Sequence, residues 1–148
     1  MTDGYVSRVL LVEDDFDEQH LVMRVVKDFD PNIVLEAAHT GKEALLFLDN
    51  VPKHELPKLV LLDLDLPIVP GIEVLKRIRA RSVTRGVPVT VFTGSNRLSD
   101  RAVCEAHHAS FVRKPTLHED YVETLKSILH YWMRLNETTF GSEEVEAN

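Results

Sequence analysis

Acidic side chains stand directly after two separate apolar runs of the chain. Glu13 and Asp14 follow the run at 8–12, and Asp63 follows the run at 58–62. If these runs are neighbouring parallel strands, they lie ~4.8 Å apart and the three carboxylates converge. Carboxylates held this close repel one another unless a cation compensates them. No His or Cys occupies these positions, so hard oxygen ligands predict Mg²⁺ rather than zinc or copper.

A hydroxyl and a cation follow two other apolar runs. Thr93 follows the fourth run and Lys114 follows the fifth. Together they offer one hydrogen-bond donor and one positive charge, which are what an added anion needs. Gly94 leaves room for a bulky group beside Thr93. A carboxylate flanked by a metal, a lysine and a hydroxyl can attack phosphorus. We therefore expect Asp63 to accept a phosphoryl group. Mg²⁺ and Lys114 would stabilise the charge of that group, and Thr93 would donate a hydrogen bond to it.

Five strands alternating with five helices would position these side chains. The predicted strands are 8–12, 33–38, 58–62, 87–92 and 110–113, and the helices are 17–29, 40–50, one after Gly71, 99–108 and 118–135. Thr40, with Glu43 three residues on, has the spacing of a capping box. Strands separated by helices pair in parallel with right-handed crossovers. The sequence therefore predicts an α/β fold with a doubly wound five-stranded parallel sheet and helices on both faces.

Length and composition indicate one globular domain. The chain has 148 residues, of which 44% are hydrophobic and 28% charged. Its single cysteine, Cys104, excludes an internal disulfide and a Cys-rich zinc site. No apolar run approaches the ~20 residues of a membrane span, and the first residues lack the pattern of a signal peptide, so we expect a cytoplasmic protein. The net charge of −7 argues against a general nucleic-acid or membrane surface.

Four motifs, each at a predicted strand end, carry a resemblance to a known family. They are Val-Leu-Leu-Val-Glu-Asp at 9–14, Leu-Leu-Asp-Leu-Asp-Leu-Pro at 61–67 with Gly71, Val-Phe-Thr-Gly-Ser at 91–95 and Phe-Val-Arg-Lys-Pro at 111–115. Over about residues 7–130 the chain resembles the CheY-like receiver domains of two-component response regulators. The resemblance implies a flavodoxin-like sheet of order 2-1-3-4-5.

The same resemblance implies a role for each acidic residue of the site. Asp63 matches the phosphoacceptor. Asp14 matches the direct Mg²⁺ ligand, Glu13 an acid acting mainly through water, and Asp65 a ligand through its backbone carbonyl. Receivers more often carry Asp-Asp where this chain has Glu13-Asp14, and the longer glutamate leaves its own metal contact less defined.

Two further roles follow from the resemblance. Thr93 and Phe111 match the coupled switch pair, which changes the face of the fourth helix, fifth strand and fifth helix. Lys114 matches the invariant lysine, and its bond to Pro115 is expected to be cis.

The end of the chain is similar to stand-alone regulators that partner bacterial phytochrome histidine kinases. We expect a receiver domain at 1–135 with an extended last helix, and an acidic, disordered tail at 136–148. The implied partner is a sensor histidine kinase, with the bacterial phytochromes as a candidate class. The apolar helix end, with Trp132 and Leu135, predicts an interface between two copies of the chain.

One alternative uses the same acids differently. Asp63-Leu-Asp65 fits the nucleophile and acid of a Mg²⁺-dependent phosphohydrolase of the haloacid-dehalogenase kind. That motif usually follows the first strand, however, whereas here it follows the third and Pro67 comes soon after it. We therefore expect a phosphorylated signalling switch, with at most self-catalysed phosphotransfer and autodephosphorylation, rather than an enzyme.

Overall fold

Five strands and five helices alternate along the chain. The computed structural model of the protein describes residues 6–136. The strands are β1 (Arg8–Val12), β2 (Val34–Ala38), β3 (Leu59–Leu62), β4 (Val89–Thr93) and β5 (Ser110–Arg113). The helices are α1 (Phe16–Phe29), α2 (Gly41–Asn50), α3 (Gly71–Ala80), α4 (Leu98–Ala106) and α5 (His118–His130). The predicted order of elements is confirmed.

The strands form one parallel sheet in the order β2-β1-β3-β4-β5, which confirms the predicted fold. The chain steps from β1 outward to β2 and then back across β1 to β3. At the carboxyl edge, Val12 of β1 pairs with Leu62 of β3. The residues that follow these two strands therefore emerge side by side, at the position where open parallel sheets bind ligands.

Helices cover both faces of the sheet. On one face α1 and α5 pack through a cluster that includes Val22, Val26, Leu125 and Leu129. On the other face α2, α3 and α4 contribute Leu48, Leu75, Ile78 and Cys104. All four residues of β3 are buried, as a strand covered on both sides requires. Within residues 6–136, no helix combines the length and apolarity needed to cross a membrane.

Two side-chain caps begin the helices next to the site. Asp15 accepts hydrogen bonds from the backbone N–H groups of Asp17 and Glu18, at 2.8 and 3.1 Å, and so caps α1. Thr40 accepts from the N–H of Glu43 at 3.0 Å, which confirms the predicted cap of α2. The Glu43 carboxylate accepts in return from the N–H of His39, one residue before the cap.

The last α-helix is followed by a turn whose hydrogen bonding is π-helical. After α5, Tyr131–Leu135 forms a π-helical turn that the sequence predicted as ordinary helix. Trp132 packs on the α1/α5 side of the core, and the Arg134 guanidinium lies 5.0 Å from the Phe29 ring centroid. Asn136 ends the turn by donating to the Tyr131 carbonyl at 2.7 Å. The tail predicted at 136–148 otherwise lies outside the described residues.

Candidate metal centre

Three carboxylates meet at the carboxyl edge of β1 and β3. One oxygen from each of Glu13, Asp14 and Asp63 lies within 4.8 Å of the others. The backbone fixes this meeting, because the Asp63 N–H donates to the Val12 carbonyl at 3.1 Å. Glu13 and Asp63 are buried, whereas Asp14 is exposed. The predicted convergence is confirmed, and an ion would reach it past Asp14.

The loop after β3 fixes the Asp63 carboxylate. Its Oδ1 accepts from the backbone N–H of Asp65 at 3.2 Å. The Gly71 N–H, at the start of α3, donates to the Leu64 carbonyl at 3.1 Å and draws the loop onto the strand end. The Asp65 side chain is exposed and lies outside the carboxylate cluster. A metal contact through its backbone carbonyl stays a prediction.

The Lys114 ammonium lies among three carboxylates. Its Nζ is 2.9 Å from Glu13 Oε1, 3.3 Å from Asp63 Oδ2 and 2.6 Å from Glu18 Oε2. Burial alone would lower the pKa of Lys114. The hydrogen bond to Glu18 and the charges of Asp63 and Glu13 outweigh burial and raise that pKa, so the side chain stays cationic. Lys114 therefore offers a fixed positive charge to any anion added at Asp63.

Glu18 and Tyr121 belong to the site although the sequence analysis missed both. Glu18 lies in the first turn of α1, and its Oε2 accepts from the Tyr121 hydroxyl at 2.7 Å. Burial and this hydrogen bond raise the pKa of Tyr121, so its hydroxyl remains a donor. A tyrosine within the apolar stripe of α5 was the available signal, because a buried hydroxyl requires a polar partner. Sequence alone did not identify that partner.

Gln19 and Asp15 hold the loop between β1 and α1. The Gln19 side-chain amide donates to the Glu13 carbonyl at 2.5 Å and lies 2.6 Å from His39 Nδ1. The Asp15 N–H donates to Glu13 Oε2 at 3.1 Å, while Lys114 takes the other oxygen. Both Glu13 oxygens thus accept hydrogen bonds within the protein. Because both oxygens already have partners, we expect Glu13 to contact an ion mainly through water.

The environment of the Glu13 carboxyl disfavours its ionised form. Burial raises its pKa from an ordinary 4.5 to about 7; Lys114 opposes this rise, and the charges of Asp63 and Glu18 add to it. Because the folded protein holds this proton more tightly than the unfolded chain, ionisation of Glu13 destabilises the fold. Without metal, the free energy of unfolding should fall as pH rises from about 4.5 to about 7.

Chemical denaturation in chelator at several pH values measures this dependence. Glu13→Gln should flatten the slope over that interval, because glutamine does not titrate. An equal slope in Glu13→Gln and the unaltered protein would show that another group causes it. Added Mg²⁺ should stabilise the protein more above pH 7 than below it, since a proton on Glu13 competes with the cation.

Thr93 and Phe111 lie on the same face of neighbouring strands. Val91 of β4 pairs with Phe111 of β5, and Thr93 follows Val91 by two residues. Thr93 is fully buried and its Oγ1 accepts from the Ser95 N–H at 3.3 Å, while Phe111 is partly buried. A Cβ added at Gly94 would meet no atom within 4 Å. Open space therefore lies beside Gly94, the residue that follows Thr93.

The prediction of a cis peptide bond between Lys114 and Pro115 was wrong, because this bond is trans. Residues 6–136 contain no cis peptide bond. The trans form is the intrinsic preference of such bonds by about 0.5–1 kcal/mol. The Lys114 N–H donates to the Thr93 carbonyl at 2.7 Å, and this hydrogen bond fixes the Lys114 backbone beside the end of β4.

Comparisons with known proteins agree on one family. The family model described as the response regulator receiver domain matches residues 9–126. The probable methanogenesis regulatory protein FilR2 of Methanothrix harundinacea is 37% identical over 134 residues, which cover 86% of this chain and 84% of that protein. Response regulator Rcp1 of Synechocystis is 32% identical over 129 residues, covering 84% and 88% of the two chains.

Solved structures give the same fold. The Mn²⁺-bound form of response regulator Rcp1 superposes with a TM-score of 0.81 at 29% identity, covering 89% of this chain and 98% of that one. The phosphorylated cyanobacterial phytochrome response regulator RcpA gives a TM-score of 0.84 at 23% identity, with 90% and 99% coverage. The second likeness supports the fold alone.

Proposed function

The chain belongs to the response regulator receiver domain family, and we propose that it is a switch whose phosphoryl acceptor is Asp63. Receiver-domain response regulators are signalling proteins. The observation that supports Asp63 is its position, buried beside Glu13 and Asp14 with Lys114 Nζ 3.3 Å from its Oδ2. Glu13 also follows a strand and contacts Lys114, at 2.9 Å, but it matches the acidic pair of the receiver motifs, whereas Asp63 matches the phosphoacceptor.

The proposed chemistry is transfer from a phosphohistidine. An Asp63 carboxylate oxygen attacks the phosphorus, an O–P bond forms, the P–N bond breaks, and the imidazole leaves with the electron pair. Lys114 stabilises the charge on the equatorial oxygens, and Thr93 donates its hydroxyl to the phosphoryl group once it is attached. Mg²⁺, when bound, supplies further neutralisation of that charge.

The residues present fit a Mg²⁺ ion. Every donor in the cluster is oxygen, and the exposed Asp14 and buried Asp63 provide the one or two carboxylates that Mg²⁺ usually takes. We propose Asp14, Asp63 and the Asp65 carbonyl as direct ligands, with Glu13 acting through water. The raised pKa of Glu13 supports a cation there, because a nearby cation offsets the cost of burying the Glu13 charge and the repulsion from Asp63.

The Thr93 and Phe111 positions support the proposed switch. A phosphoryl group on Asp63 would draw the Thr93 hydroxyl from Ser95 toward itself, and Phe111 would fill the space that Thr93 vacates. The contact of the phosphate with Thr93 and Lys114 supplies the free energy that favours one of the two arrangements. The surface that changes is formed by α4, β5 and α5.

The partner that we propose is a sensor histidine kinase, with a bacterial phytochrome as the class to test first. Four large apolar side chains are exposed in segments at the carboxyl edge, and each follows a different strand. They are Phe16 (60% exposed), Ile68 (96%), Leu98 (80%) and Leu117 (66%). Exposed apolar side chains around a reactive group are a suitable docking surface for a protein donor.

Ile68→Lys and Leu117→Lys should slow phosphotransfer from a histidine kinase by about tenfold each, because each change removes apolar contact at the docking surface. Labelling by a small acyl phosphate should stay within about twofold, since a small donor does not use that surface. The rates are measured by quenched-flow labelling. Equal slowing with both donors would contradict a docking role, and Leu46→Lys, at an exposed site on α2, is the matched control.

We also propose dimerisation through the turn at Tyr131–Leu135, directly after α5. Tyr131 and Leu135 remain 48% and 60% exposed, and these residues support an interface there. Trp132, which the sequence predicts at the same interface, packs on the core beside α1, so its replacement would disturb the fold as well as any dimer.

Incubation with Mg²⁺ and a small acyl phosphate, followed by mass analysis of the labelled peptide, tests the proposed function. We expect one phosphoryl group per chain, on Asp63, which decays slowly. Repeated turnover would instead favour the haloacid-dehalogenase alternative, which the family match does not support. The exposed Asp65 carboxylate, outside the acidic cluster, also argues against that alternative.

A further inference from the structure

The ammonium group of Lys114 donates hydrogen bonds to Glu13 and Asp63 and forms a shorter ion pair with Glu18. A lysine has three N–H donors, and three carboxylates lie around this one. The shortest contact, 2.6 Å, goes to Glu18, and the longest, 3.3 Å, goes to Asp63. For Lys114 to contact a phosphoryl group on Asp63, its shorter contact with Glu18 would therefore have to be released.

Glu18 is held in place from the opposite side by α5. The oxygen that contacts Lys114 also accepts the Tyr121 hydroxyl at 2.7 Å. Tyr121 is 7% exposed, and its ring lies 5.1 Å from that of Phe92 in the core, so it is a rigid support. Glu18 lies outside the acidic metal cluster. Of the three contacts of Lys114, the one to Glu18 can thus be released without disturbing a proposed metal ligand.

We propose that Glu18, braced by Tyr121, is a positioning residue that competes with the phosphoryl group on Asp63 for Lys114 and so limits the rate of phosphorylation. This inference rests on the proposed function of Asp63. Glu18 also adds a negative charge near the incoming phosphoryl group, which acts in the same direction. When Lys114 turns to the phosphoryl group, Glu18 keeps the Tyr121 hydroxyl and loses its cation, so the change at the site reaches α5.

Initial rates of labelling by a small acyl phosphate, at saturating Mg²⁺, test the competition. Glu18→Gln should label about fivefold faster, since glutamine keeps the size and the acceptor but loses the charge that holds Lys114. Tyr121→Phe should label about twofold faster, because it removes only the support of Glu18. The double variant should match Glu18→Gln, since Tyr121 acts through Glu18. Asp17→Asn removes a neighbouring exposed charge of α1 and should change the rate by less than about twofold.

An equilibrium measurement separates positioning from a merely structural role. Beryllofluoride, a phosphoryl mimic, should bind more tightly to Glu18→Gln than to the unaltered protein, by a similar factor of about five. Glu18→Asp, which keeps the charge, should label more slowly than Glu18→Gln. Melting temperatures accompany each variant, because a structural role would lower them without quickening the labelling.

Three results would contradict the inference or a part of it, and they are distinguishable. If the unaltered protein labels at Asp63 while Glu18→Gln labels at the same rate or more slowly, Glu18 does not compete for Lys114 and the proposed function stands. If the double variant is faster than Glu18→Gln by the full Tyr121→Phe factor, Tyr121 does not act through Glu18. If the unaltered protein does not label at Asp63, the proposed function and the inference both fail.

Discussion

Asp63→Asn is expected to abolish covalent labelling, lowering its rate by about a thousandfold or more. The amide of asparagine lacks the anionic oxygen that attacks phosphorus. Glu13 and Asp14 cannot substitute for it, because they follow β1 and not β3. Labelling is followed by mass analysis after incubation with Mg²⁺ and a small acyl phosphate. Asp65→Asn is the matched control, because the Asp65 side chain is exposed and only its backbone contacts Asp63.

The stability of the Asp63→Asn variant is predicted separately from its labelling. Without metal it should be more stable than the unaltered protein, by about 1 kcal/mol, because one of three close carboxylates is neutralised. Denaturation in chelator measures the difference. Labelling of Asp63→Asn at the unaltered rate would refute the assignment, and a less stable variant would show that the Lys114 contact outweighs the repulsion.

Gly71→Ala should have the largest effect on stability. A Cβ at Gly71 would lie 2.3 Å from the Asp63 carbonyl oxygen and 2.6 Å from the Leu64 Cα. Both are backbone atoms at the end of β3, so the clash cannot be relieved by rotating a side chain. We expect a loss of about 3 kcal/mol in the free energy of unfolding.

Gly94→Ala is the matched control for this change. A Cβ there meets no atom within 4 Å, so the variant should lose less than about 1 kcal/mol. Urea denaturation of both variants gives the comparison. Similar stability of Gly71→Ala and the unaltered protein would mean that α3 can shift away from the strand end without cost.

The sequence was informative wherever a functional residue directly follows a strand. Parallel pairing sets the ends of β1 and β3 side by side, so the positions of Glu13, Asp14 and Asp63 in the chain already fix their meeting in space. The receiver motifs lie at the same strand ends. The fold and the acidic cluster could therefore be predicted together.

Contacts between helices were not predictable in the same way. Glu18 and Tyr121 are 103 residues apart, and their hydrogen bond depends on how α1 and α5 lie side by side across one face of the sheet. Amphipathic patterns show which face of each helix is buried, but not the rotation and shift of one helix against another. The π-helical turn after α5 escaped prediction because its residues are also suited to an α-helix.

A Mg²⁺ titration of the intact protein, followed by calorimetry, tests most directly whether acids from two strand ends share one ion. The unaltered protein should bind one ion saturably. Asp14→Asn should bind about tenfold or more weakly, while Asp65→Asn should bind as the unaltered protein does, because only its backbone carbonyl is proposed as a ligand. Absence of saturable binding, or equal affinity in Asp14→Asn and the unaltered protein, would contradict the shared magnesium site.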